Sequence, residues 1–255
     1  MTGFIQRSES PVGNRAFPTT QWSLIVTAGG NNGPEVRVAL EELCQIYWYP
    51  LYTFIRSRGY DSHHAEDVTQ DFFFHLLKPG YVQQADPQRG RFRSFLLASL
   101  NNFLSNERER RNAQKRGGGV VTISLDTVEE IERFQVQPPA SGLTPEEVYD
   151  RNWALSIIAR VLKALEIEYI AAGRGPLFAL LRNVVWGDAE VSHDAIAAEL
   201  GMSAGAIKVS IHRLRKRLQG KLREAVAQTV AQSQDTEDEL RILLAALRPP
   251  RPNAL

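Results

Sequence analysis

The chain is 255 residues long and 43% hydrophobic, with 30 Lys and Arg against 29 Asp and Glu, a formal net charge of +1 and one cysteine. That length allows two modest domains; no apolar run is long enough to cross a bilayer, the first residues lack the apolar core of a secretory signal, and a lone cysteine excludes an internal disulfide or a cysteine metal cluster. A cytoplasmic protein without membrane insertion is expected, and its near-zero charge hides two basic segments, residues 89–116 with eight Lys or Arg and 206–223 with seven, set against acidic blocks at 126–150 and 235–239.

In chain order, Trp22, Leu24, Ile25 and Val26 predict a short leading helix that docks on the rest of the first unit. Residues 35–58 then read as helix, with Leu40, Leu43, Tyr47, Leu51 and Phe54 on a broad apolar stripe and Pro50 as a point of kinking or restart. Cys44 falls on this apolar stretch and reads as core. Gly59 closes the helix, and Asp61 or Ser62 caps the next, which buries Val68, Phe72, Phe73 and Leu76 and stops at Pro79-Gly80. After a loop near Asp86-Pro87, a third helix begins near Arg91 with Phe92, Phe95, Leu96, Leu100, Phe103 and Leu104 inward. It turns wholly polar in SNERERRNAQKR and breaks at Gly117-Gly118-Gly119. The acidic stretch beyond it, with Pro138-Pro139, reads as a linker.

A second unit opens on Thr144-Pro145-Glu146-Glu147, a capping hydroxyl, a first-turn proline and acids at the positive end of the helix dipole. Its long helix reaches about Ala172, with Ile157, Ile158, Val161, Leu162 and Leu165 inward. Residues 173–176 turn the chain, and Leu177, Leu180, Leu181, Val184 and Val185 mark another helix. In residues 192–218, SHDAIAAELGMSAGAIKVSIHRLRKRL, Ser192 and Ser203 stand as caps, Gly201 marks the turn, and Ile196, Ala197 and Leu200 meet Ile207, Ile211, Leu214 and Leu218. Lys208, Arg213, Lys216 and Arg217 lie opposite that stripe, the pattern of a helix-turn-helix that enters DNA. A last amphipathic piece carries Leu240, Leu243, Leu244 and Leu247. With no strand pattern and no internal repeat, the expected fold is all-α: two small helical domains, residues 18–116 and 144–230, joined by a linker at 117–143, the second containing the helix-turn-helix, and a tail at 231–255.

Two helical units that each end in a basic helix resemble a bacterial sigma factor of the extracytoplasmic-function (ECF) type. The segment DSHHAEDVTQDFFFHLL is similar to that family's polymerase-binding helix, with Asp67, Gln70 and Asp71 in the places of its acid, glutamine and acid. RGRFRSFLLASLNNFLSNERERRNAQKRGGG resembles the promoter-opening helix, and residues 192–218 the module that reads the upstream promoter element. The resemblance implies a dissociable subunit that binds core RNA polymerase, recognises promoter DNA through both units and helps separate the strands, with no catalysis of its own. No cofactor or metal is implied. An anti-sigma or other protein regulator is a further candidate partner.

On the promoter-opening helix, Arg91, Arg93, Asn101, Asn102 and Asn106 are the candidates to face DNA, while Arg108, Arg110, Arg111, Lys115 and Arg116 would hold phosphate. On the last helix, Ala204, Ala206, Lys208, Val209, Ser210, His212 and Arg213 form the groove-facing set, with Lys216 and Arg217 on the backbone. The stretch Arg174-Gly175-Pro176-Leu177-Phe178 departs from the family's proline-arginine segment, and Val209-Ser210 from its small polar residue followed by arginine, so no target sequence carries over. The acidic linker and the tail exceed the family's minimal pattern, and their charge suggests that one of them masks a basic helix or binds a regulator. Two other classes compete: a helix-turn-helix regulator that acts without polymerase, and a metal enzyme built on His63, His64, Asp67 and His75, whose spacing does not bring all four to one face.

Overall fold

The computed structural model describes residues 34–76, 78, 91–113, 142–186, 192–230 and 232–248. Among them every regular element is helical: α1 (Pro34–Ser57), α2 (Ser62–Leu76), α3 (Phe92–Ala113), α4 (Pro145–Ala171), α5 (Gly175–Trp186), α6 (His193–Leu200), α7 (Ala204–Ala227), a short 3₁₀ turn (Ser233–Asp235) and α8 (Thr236–Ala246). No helix among the described residues is long and apolar enough to cross a membrane. The leading helix expected at residues 22–26, the loop at 86–87 and most of the 117–143 linker lie outside the described residues.

The helix ends follow from local chemistry. At the start of α2 the Asp61 carboxylate accepts the His64 amide at 2.9 Å, so Asp61 rather than Ser62 supplies the cap, and this bond holds its carboxyl below the usual 3.8. Thr144 and Glu147 form a reciprocal capping box on α4, with bonds of 3.2 and 2.7 Å. Helix α1 runs unbroken through Pro50, where the sequence allowed a kink or restart, and the Thr53 hydroxyl donates to the Pro50 carbonyl at 3.0 Å.

The apolar stripe of α1 is wider than its periodicity suggested. Ile46, Trp48 and Ile55 are buried with Leu43, Tyr47, Leu51 and Phe54, because α1 packs on α2 along one side and most extensively on α4 along another. Cys44 is only partly buried, and burial, then the neighbouring Glu41 charge, pushes its thiol up to about 12, so it stays protonated and unreactive. Helix α4 touches α1, α5, α7 and α8. It therefore buries Val148, Tyr149, Trp153, Ala154 and Tyr169 in addition to the expected Ile157, Ile158, Val161 and Leu165, while Leu162, also expected inward, is only partly buried. In α5 the fully enclosed residues are Phe178 and Leu181, while Leu177, Leu180, Val184 and Val185 sit at the edge of the core.

Buried residues from α1 through α8 form one continuous apolar cluster. Aromatic edges tie α1 within its own unit and across to the second: Tyr47 of α1 meets Phe92 of α3 at 5.2 Å, and Phe54 of α1 meets Tyr149 of α4 at 6.3 Å, both edge to face. On α8 the stripe is narrower than expected, since Leu243 is buried but Leu244 is 51% exposed.

Candidate nucleic-acid and partner surfaces

The α6–α7 pair is set by its turn. Gly201 takes φ 62° and ψ 30°, a left-handed geometry open to glycine at little cost, and the Gly201 and Met202 amides return to the Ala198 and Ala197 carbonyls at 3.4 and 2.9 Å. Two residues later the Ser203 hydroxyl accepts the Ala206 amide at 3.2 Å and starts α7. Ile196 and Ala197 are buried with Ile207, Ile211, Leu214 and Leu218, as their spacing required. The opposite side of α7 then faces water by geometry: Lys208, Val209, His212, Arg213, Lys216 and Arg217 are all exposed, Val209 at 49%. Ala204, Ala206 and Ser210 are half-buried, and the Ser210 hydroxyl is committed to the Ala206 carbonyl at 2.8 Å.

Either flank of that exposed face has its own chemistry. On one, a cavity of about 250 Å³ opens between α6 and α7, lined by His193, Lys208, Ile211, His212 and Arg215. Its polar lining contains no acid. His193 reaches this lining through the packing of α6 on α7, whereas Arg215, seven residues beyond Lys208, shares its face of α7 by helical spacing although the sequence-based set left it out. On the other flank, Glu168 of α4 accepts from Arg217 at 2.7 and 2.9 Å and pairs with Lys221 at 2.8 Å. These bonds hold the Glu168 carboxyl below its usual range.

Helix α2 presents Asp67 and Asp71 outward, with Gln70 half-buried between them, above a buried row of Ala65, Val68, Thr69, Phe72 and Phe73. Phe74, one turn further along that outward side, is 44% exposed. Local desolvation, then the Glu107 and Asp67 charges, raise the Asp71 carboxyl above 3.8, while Lys78 opposes them. Of the histidines weighed as metal ligands, the His64 ring stands on Tyr60 at 5.0 Å and the His75 ring on Phe103 at 5.3 Å. Among the described residues no three His, Cys, Asp or Glu side chains converge as metal ligands.

The candidates on α3 divide. Asn102 and Asn106 are exposed, and Asn101 accepts from Arg58, just past the end of α1, at 2.9 Å. Arg93, expected to face DNA, is only 7% exposed and is held inside. Its guanidinium pairs with Asp150 of α4, bonds Glu239 of α8 at 2.7 Å and lies 5.1 Å from the Trp153 ring centre. Arg91, partly exposed, pairs with the other Glu239 oxygen at 2.9 Å. Arg108, Arg110 and Arg111 lie on the last turns of α3, while Lys115 and Arg116 lie outside the described residues. Comparison with protein-family models, curated proteins and solved structures finds no match for this chain.

Proposed function

We infer that the chain is a transcription initiation subunit of the ECF sigma type, with α2 as its polymerase-binding face and α6–α7 as a helix-turn-helix for the upstream promoter element. The observation that carries this reading is the pairing, within one all-helical chain, of the outward Asp67–Gln70–Asp71 row with a capped α6–α7 pair whose exposed side is cationic. Val209 suits a thymine methyl, and Lys208 and Arg213 suit guanine acceptors. The basic cavity beside them suits a backbone phosphate, with His193 at the start of α6 and Arg215 on α7. Promoter opening would fall to Asn102, Asn106 and the basic end of α3, and polymerisation chemistry to the partner.

The test is binding of the full chain to bacterial core RNA polymerase beside an Asp67→Ala/Gln70→Ala/Asp71→Ala variant. The variant should bind at least tenfold more weakly, about 1.4 kcal/mol. A folded wild-type chain that ignores polymerase but binds duplex DNA would be a regulator acting alone. The raised Asp71 carboxyl adds a pH dependence: a cationic partner favours the ionised form, so affinity should climb as pH rises through that carboxyl's range and fade toward 3.8. A pH-independent affinity would remove Asp71 from the contact.

Glu168 sets the free-state availability of Arg217, a backbone-phosphate candidate, and of Lys221 one turn further along α7. Glu168→Gln should release Arg217 and Lys221 and tighten duplex binding about threefold at low salt, with a steeper salt dependence. Weaker binding in fluorescence anisotropy would mean instead that Glu168 pre-orients them.

A further inference from the structure

We propose that α8 is a clasp that keeps the chain closed in isolation and must release Arg91 before it can meet nucleic acid. The clasp depends on the sigma-factor reading only for the assignment of Arg91 to DNA; its contacts stand independently. Glu239 is fully buried and divides its two oxygens between Arg93 and Arg91, at 2.7 and 2.9 Å. Two residues earlier, at the start of α8, Glu237 pairs with Arg223 near the end of α7. The acids of the tail therefore reach both basic helices. At the other end of α8, Arg151 of α4 donates to the Leu247 and Arg248 carbonyls at 3.4 Å, and the Phe92 amide donates to the Thr229 carbonyl just before the tail.

The apolar hold on α8 is small. Of its eleven residues only Thr236, Glu239 and Leu243 are buried, with Leu240 and Ala246 partly buried against the core. A helix of that length is marginal without tertiary support, and a buried ion network gains little over the same charges in water. The element is thus poised at the low end of local stability, fixed by charges that a polyanion can replace. A phosphate at Arg91 and the carboxylate of Glu239 compete for the same guanidinium, while Arg93 stays paired with Asp150 of α4. By linkage, DNA at α3 and α8 in place disfavour each other equally.

The experiment uses the full chain without polymerase and a promoter-length duplex carrying an unpaired central bubble. Glu239→Gln should bind it about tenfold more tightly than wild type. Equal or weaker binding by a variant whose helical signal is intact would overturn the clasp. Should the variant fail to fold, hydrogen exchange on the wild-type chain decides: the α8 amides should exchange faster when the DNA is added, and unchanged or slower exchange would overturn the proposal. Loss of polymerase binding, measured separately, would strike the sigma-factor reading and leave this result standing.

Discussion

Replacing Arg93 with Met should destabilise the chain by about 3–5 kcal/mol, because it leaves a fully buried Glu239 with half of its pairing. Arg93 is the centre of the network: it joins Asp150 of α4 and Glu239 of α8, lies over Trp153, and its backbone carbonyl accepts the Tyr149 hydroxyl at 3.1 Å. Burial holds that hydroxyl well above its ordinary range, so it remains a donor at any physiological pH. The double variant Arg93→Met/Glu239→Met should recover most of the loss, since it removes the stranded carboxylate together with its partner. Urea denaturation of wild type, both single variants and the double measures the coupling. A cost below about 1 kcal/mol for Arg93→Met would show that Glu239 is solvated in solution and the network is superficial.

Trp153→Ala should cost about as much, roughly 3–5 kcal/mol, through a cavity where the two expected units meet. Trp153 is fully enclosed on α4, in the cluster it shares with Tyr47, Phe54 and Leu165. Because that cluster runs without interruption from α1 to α8, calorimetry should find the whole transition moved to lower temperature as one event. A variant in which only part of the heat absorption shifts would show that α1–α3 and α4–α8 unfold independently and that their packing is weaker than its burial suggests.

Protonation of Asp150 should not be what opens the network in acid. Desolvation raises its carboxyl in the folded chain despite the nearby Arg93, so the folded state takes up that proton more readily than the unfolded one. Its contribution to stability therefore increases as pH falls through the raised value. Glu168 and Asp61, with lowered carboxyls, contribute in the opposite sense and lose their contribution as pH falls through theirs.

The sequence by itself determined what depends on neighbours within a turn or two. The Thr144 capping box, the Ser192 and Ser203 caps, the left-handed Gly201 and the periodic burial of α2 and α7 involve partners a few residues away, so their chemistry is written contiguously. The outward placing of Asp67 and Asp71, and of the α7 cations, follows from the same periodicity. Only the tertiary structure decided what depends on distant partners. Arg93 and Asn102 are both polar residues on a helix, yet Arg93 is enclosed by acids 57 and 146 positions away and Asn102 is left in water. Helix α4 lacks a clear one-sided stripe because it is surrounded by helices from both ends of the chain, and the basic cavity exists because α6 crosses α7 beside Lys208 and Arg215. Local hydrogen bonds and periodicity are encoded over a few residues, whereas burial of a charge depends on which distant helix arrives with the opposite one.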